Sequence, residues 1–197
     1  MTRARFSTRV LAAALGVVAC VPLPDAAAEP FVSVGALRSD VREDAPTAPA
    51  KVTLSDSSAL IGGGISRRLA GGSEIGVRAE LTEAASARLF AVRAFDYRYH
   101  LSERLAVTAF LGAARLDLAT PAYGYYAGAG MALKNVLPGW DLGIDLRFGD
   151  KLARDNVAPG DPQGGPRPDT FYDLEGFGIT LTRRFGAAAA TDAPPPR

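Results

Sequence analysis

Apolar and polar residues alternate along most of this chain, and the alternation is cleanest from Trp140 to Phe148. Trp140, Leu142, Ile144, Leu146 and Phe148 share one parity; Asp141, Gly143, Asp145 and Arg147 share the other. Side chains alternate faces along an extended backbone, so this is the period of a strand and not of a helix. Trp and Phe close the apolar row at a spacing that fits one bilayer crossing with interfacial aromatics at its ends.

The same period predicts seven further strands. Phe31 to Arg38, Ala59 to Arg68 and Ser73 to Thr82 come first, the last with Ile75, Val77, Ala79 and Leu81 against Glu74, Gly76, Arg78 and Glu80. Ala87 to Tyr99 follows with a break in phase. Arg93 shares parity with Phe95, Tyr97 and Tyr99, whereas Phe90 and Val92 share parity with Asp96 and Arg98. One extra residue resets the facing of a strand, so a β-bulge is predicted near Arg93. Leu105 to Ala114, Tyr123 to Lys134 and Phe171 to Phe185 complete the set. Polar or Gly/Pro-rich stretches separate them: Ser39–Ser55, Ala70–Gly72, His100–Glu103, Leu118–Pro121, Asn135–Gly139 and Gly149–Thr170.

Alternation alone does not say which face points inward, because a soluble barrel alternates too. Here the polar parity carries both signs of charge together with glycine, which suits a narrow enclosed lumen more than a wetted exterior. The aromatics fall near strand ends. Tyr97, Tyr99, Trp140 and Phe185 mark one rim; Tyr123, Tyr125, Phe148 and Phe171 mark the other, as two interfacial girdles would. The expected fold is all-β, an eight-stranded antiparallel up-and-down transmembrane barrel, with its apolar row toward lipid.

Composition narrows the reading. Of 197 residues, Lys plus Arg is 22 and Asp plus Glu is 21, so charge gives no case for nucleic acid. After the first thirty residues no apolar run approaches the roughly 18 residues of a membrane helix. Before that point Arg3, Arg5 and Arg9, an apolar stretch from Val10 to Val21, and Ala26-Ala27-Ala28 read as a secretory signal peptide over residues 1–28. Cys20, the sole cysteine, leaves a second option open, since Val17-Val18-Ala19-Cys20 also resembles a lipobox. The barrel then covers 29–185, and 186–197 is an Ala/Pro-rich tail without core-forming content.

The last strand places Phe177, Ile179, Leu181 and Phe185 at two-residue steps with Gly178 among them. This resembles the C-terminal assembly signal of Gram-negative outer-membrane barrels. More closely, residues 31–185 resemble the eight-stranded family that includes the OmpA transmembrane domain, OmpX and the opacity proteins. The resemblance implies an outer-membrane location, contact with membrane lipids, recognition of the final strand by the outer-membrane assembly machinery, and no cofactor. Arg183 and the tail after Phe185 depart from the family's pattern.

An eight-stranded barrel has room inside only for side chains, and buried charges need partners. Arg78, Arg98, Lys134 and Arg147 are therefore expected to pair with Glu80, Asp96, Asp141 and Asp145 and to close the lumen. The expected role is non-enzymatic: envelope integrity, or surface interaction through outer loops, with the surface partner unnamed. Three alternatives stand beside it: a narrow gated conduit, a soluble periplasmic ligand-binding barrel, and a lipid A-modifying enzyme. For the last, His100-Leu101-Ser102 superficially resembles the His-x-Ser of lipid A deacylase barrels, but it falls in a tight connection that offers no substrate pocket. The acids between Asp150 and Asp169 match no calcium-loop spacing, and Gly62-Gly63-Gly64 lacks the Lys-Ser/Thr of a phosphate loop. No catalytic, cofactor-binding or metal-binding residue is expected.

Overall fold

In a computed structural model the chain forms one closed barrel, described over residues 28–44, 52–69, 71–118, 121–154 and 171–185. The expected signal peptide up to residue 27, Cys20, the tail after Phe185 and residues 155–170 lie outside these residues. The eight strands are β1 (Glu29–Asp44), β2 (Val52–Arg68), β3 (Glu74–Ala84), β4 (Ala87–His100), β5 (Leu105–Asp117), β6 (Ala122–Leu137), β7 (Trp140–Arg154) and β8 (Phe171–Arg184). Each pairs antiparallel with its sequence neighbours, and β1 pairs with β8 to close the ring. Closure satisfies the backbone groups that an open sheet edge would leave in lipid.

The facing follows the alternation. Val34, Ile61, Leu111, Met131, Ile144, Leu146, Phe177 and Ile179 are all exposed on the outer wall. Asp145 and Arg147, between the leucines and isoleucine of β7, are buried inside. A soluble barrel would show the reverse.

The predicted bulge is present. Arg93 pairs with Gly112 and Phe95 with Leu111, leaving Ala94 without a partner on β5. The extra residue turns Arg93 inward and Phe95 outward, and the β3–β4 register shifts beside it between Gly76 and Arg78.

Strand lengths differ from the sequence expectation. Ser39–Ser55 reads as loop, yet β1 runs to Asp44 and β2 begins at Val52; likewise β7 continues past Phe148 to Arg154, and His100 belongs to β4. On β1 the outward residues change from Val32, Val34 and Ala36 to Arg38, Asp40 and Arg42. Ladder hydrogen bonds carry the strand beyond lipid, where nothing demands an apolar outer face. Asn135–Leu137 is also strand, with a register irregularity against β7 between Leu133 and Leu137 and Asn135 at φ 52°. Asparagine tolerates that left-handed geometry better than most residues.

The two rims differ. One carries the described chain ends and the turns 69–73, 101–104 and 138–139. The other carries the Ala85–Ser86 turn, where both residues have positive φ, and the far ends of β1, β2, β7 and β8. These are called the terminal rim and the loop rim.

Candidate functional site

The barrel interior is layered. Toward the loop rim the inward residues are mainly apolar: Leu37, Val41, Leu60, Leu89, Leu116, Leu152 and Leu174 form one buried cluster with several alanines, and Ser39 and Thr82 are buried at the same level. Sequence reasoning missed this layer. The signal was faint but present: Leu89 beside Phe90, and Phe110 beside Leu111, put apolar residues on both parities of one strand.

Below it lies a charged layer centred on Arg147, whose exposure is 0%. Its Nη1 donates to Glu80 Oε2 at 3.0 Å and to the Tyr126 hydroxyl at 3.1 Å. Its Nε and Nη2 both donate to Asp145, two residues earlier on the same strand face. Arg93 joins from β4, with Nη2 2.8 Å from Glu80 Oε1 and 3.3 Å from Asp145 Oδ2. Its guanidinium also stacks on the Phe110 ring, 3.6 Å from the centroid, a contact that strengthens when desolvated. Arg78 completes the layer, 3.0 Å from Asp96 and 3.7 Å from Glu80. Gly178 leaves room for the central pair, since a Cβ there would lie 2.7 Å from Arg147 Nε and from Asp145 Oδ1.

A third layer surrounds the terminal mouth. Arg98 Nη1 meets Asp141 Oδ2 at 2.7 Å, and Arg184 reaches Glu74 at 3.0 Å, Asp141 at 3.4 Å and the Ser66 hydroxyl at 2.8 Å. His100 Nε2 lies 3.0 Å from Glu74 Oε1. Lys134 meets His100 Nδ1 at 3.4 Å and not a carboxylate. Its long side chain reaches the mouth, above which the acids are already taken by arginines. A polar cavity of about 30 Å³, bordered by Glu74, Arg78, Asp96, Arg98 and Thr182, separates this layer from the central one.

Of the residues named from sequence, Arg78, Glu80, Asp96, Asp145 and Arg147 thus meet in one layer, and Arg98, Asp141 and Lys134 lie in another. The sequence reading gives Arg93, Glu74, Tyr126 and Arg184 no place in the network. Arg93 was hidden by the phase break, Tyr126 by the outward tyrosines beside it. Glu74 and Arg184 carried the right parity and were passed over.

The aromatics also sort by height. Tyr99, Trp140 and Phe185 sit at the terminal rim, where Arg183 lies 5.8 Å from the rings of both Trp140 and Phe185. Tyr97 stacks on Phe95 above them, toward the loop rim. Tyr123, Tyr125 and Phe148 face outward in the loop-side half. Phe171 lies with Tyr123: both pair with Ala153, five residues beyond Phe148, and outward-facing Glu175, the partner of Phe148, stands between Phe171 and the apolar band.

His100 and Ser102 do not form a nucleophile–base pair. The Ser102 hydroxyl accepts from the Leu105 amide at 3.1 Å, and the imidazole is held between Glu74 and Lys134. Among the described residues no cluster of His, Cys, Asp and Glu is arranged to hold a metal ion.

No protein-family model matches the chain, and comparison with curated proteins finds no match. Solved structures do match. Ail, the attachment invasion locus protein of Yersinia pestis, solved with the heparin analogue sucrose octasulfate, superposes with a TM-score of 0.50 at 13% identity, covering 80% of this chain and 99% of Ail. Neisserial surface protein A matches at 0.46 and 14%, covering 81% and 99%; outer membrane protein AlkL, solved in DMPC bilayers, matches at 0.42 and 14%, covering 86% and 97%. At this identity the likeness to Ail speaks to fold. The fold is that of the eight-stranded outer-membrane barrels.

Proposed function

We propose that this chain, a barrel of the outer-membrane type, lies in a bacterial outer membrane as a sealed, non-enzymatic protein, with its terminal rim in the periplasm and its loop rim outside. Its lipid contact is the outer apolar wall, and β8 is the strand offered to the assembly machinery. Work at the cell surface falls to the loop rim: interaction with external molecules, or support of the envelope.

One observation carries the sealed reading. Arg147 spans from β7 to Glu80 on β3 with no exposure, and the apolar layer stands directly above it. Water and ions entering at the terminal mouth meet first paired charges and then a mainly apolar layer. Hydrophobic constrictions and ion-paired constrictions both oppose conduction.

Two experiments test the reading. Membrane fractionation followed by gel migration with and without boiling reports location and barrel together; recovery in the soluble periplasmic fraction would overturn the location. In planar bilayers the purified barrel is expected to give no steady unitary conductance. Reproducible single-channel steps from the unaltered protein would support the conduit instead.

A further inference from the structure

β8 ends in two arginines that face opposite ways. Arg184 turns inward and is taken up by Glu74 at 3.0 Å, Asp141 at 3.4 Å and the Ser66 hydroxyl at 2.8 Å. Arg183, exposed on the outer face, makes no ion pair among the described residues. Two rings flank it instead, its guanidinium carbon lying 5.8 Å from the centroid of Trp140 and 5.8 Å from that of Phe185.

The backbone fixes this arrangement. Trp140 on β7 and Val32 on β1 are the cross-strand partners of Arg183. The Phe185 amide donates to the Pro30 carbonyl at 2.8 Å, which holds the second ring at the end of the strand. A ring face attracts a cation but offers its N–H donors no carboxylate, so an anion that reaches Arg183 finds those donors open.

Height decides which anion that is. Glu175 and Arg183 stand eight positions apart on the outer face of β8, and the outward residues between them, Phe177, Ile179 and Leu181, are apolar. At about 3.4 Å per residue and a tilt of about 40°, that separation rises about 20 Å, close to the apolar band of an outer-membrane barrel. Arg183 therefore lies at the terminal-side edge of the band, level with lipid phosphates and beside the exposed Val32.

We infer that Arg183, flanked by Trp140 and Phe185, is a binding site for an anionic phospholipid of the periplasmic leaflet, whose phosphodiester accepts a bidentate pair of hydrogen bonds from the guanidinium. The inference rests on the membrane location and orientation proposed above. Arginine matches phosphate oxygens in this forked geometry. A headgroup of net negative charge is favoured over a zwitterionic one, whose own cation already neutralises the phosphate. The other rim of β8 repels such a headgroup, since Glu175 stands there.

The test reads Trp140, the single tryptophan, in the refolded protein. Phosphatidylcholine vesicles carry a rising fraction of phosphatidylcholine or phosphatidylglycerol brominated near the headgroup end of its chains. Brominated phosphatidylglycerol is expected to occupy the position beside Trp140 about fivefold more strongly, the factor one basic residue brings at a membrane surface. Arg183→Gln should bring the two lipids level. Phe148→Trp in a Trp140→Phe background, next to Glu175, should show no preference for phosphatidylglycerol. Excess glycerol phosphate should leave the preference at Trp140 in place; its loss would assign Arg183 to a soluble phosphate ester and overturn the lipid site. Equal quenching by the two lipids in the unaltered protein, a comparison that needs no variant, would overturn it too. So would a preference that survives Arg183→Gln or appears equally at Phe148→Trp. Absence of quenching by either lipid would instead remove the membrane reading on which the site rests.

Discussion

Arg147 and Glu80 lie on strands that share no ladder, yet their side chains meet across the barrel interior, Nη1 to Oε2 at 3.0 Å. Glu80 simultaneously holds Arg93 at 2.8 Å. One carboxylate thus serves Arg147 and Arg93 from opposite parts of the wall, with Arg78 3.7 Å away as a third, and Asp145 contacts Arg93 and Arg147 as well.

Removing that charge leaves three buried guanidiniums, Arg78, Arg93 and Arg147, with two acids, Asp96 and Asp145. Glu80→Gln keeps the volume and is expected to destabilise the barrel by about 3 kcal/mol, the lower end for breaking a buried pair. Urea unfolding in micelles, followed by the fluorescence of the single tryptophan, Trp140, measures it. A change below about 0.5 kcal/mol would mean the layer is hydrated enough to screen its charges.

Leu146 is 54% exposed on the outer wall, next to Arg147, which has none. Leu146→Arg should cost about 2–4 kcal/mol in a bilayer, the range for a basic residue near the midplane of a barrel's lipid face. The same substitution scored in thin and thick lipids should cost more in the thick. Indifference to lipid thickness would count against a lipid-facing Leu146.

Deleting Ala94 closes the bulge and forces one half of β4 into the wrong phase. Either Arg93 faces lipid or Phe95, Tyr97 and Tyr99 face the interior. The deletion variant is expected to give no heat-modifiable band, whereas Ala94→Val, which keeps the count, should fold. A folded deletion variant would mean that the register can be repaired elsewhere.

Height along the wall can be read by fluorescence. In a Trp140→Phe background, Phe148→Trp should be quenched by lipids brominated along their chains, and Phe171→Trp should not. The reason is the outward carboxylate of Glu175 between Phe171 and the band. Equal quenching at both positions would restore a single girdle containing both.

How far the sequence was legible depended on where lipid enforces a pattern. From Trp140 to Phe148 every outward residue must be apolar and every inward one must fit a narrow interior, so parity alone gives the facing. Beyond Arg38 on β1 that constraint has ended, and Asp40 and Arg42 look like loop although they are ladder-paired strand. Arg93 was unreadable as a member of the central layer because parity is a cumulative count, and Ala94 resets it. The upper apolar layer escaped for a different reason. A residue such as Leu89 or Leu116 gives no sign of being inside when its neighbours outside are apolar too. Pairings across the interior, such as Arg147 with Glu80, depend on three-dimensional closure and leave no mark on spacing.

The uneven strand lengths make the barrel an obliquely cut tube. Its low side ends at the tight Ala85–Ser86 turn, while β2 runs on for roughly 15 Å past Ser57 at the usual rise per residue. With the loop rim outside, as proposed, the low side would stay submerged under a coat of surface sugars and only the high side would emerge. Antibodies, bacteriophage tails and shaving proteases would then all meet the same sector of the molecule first.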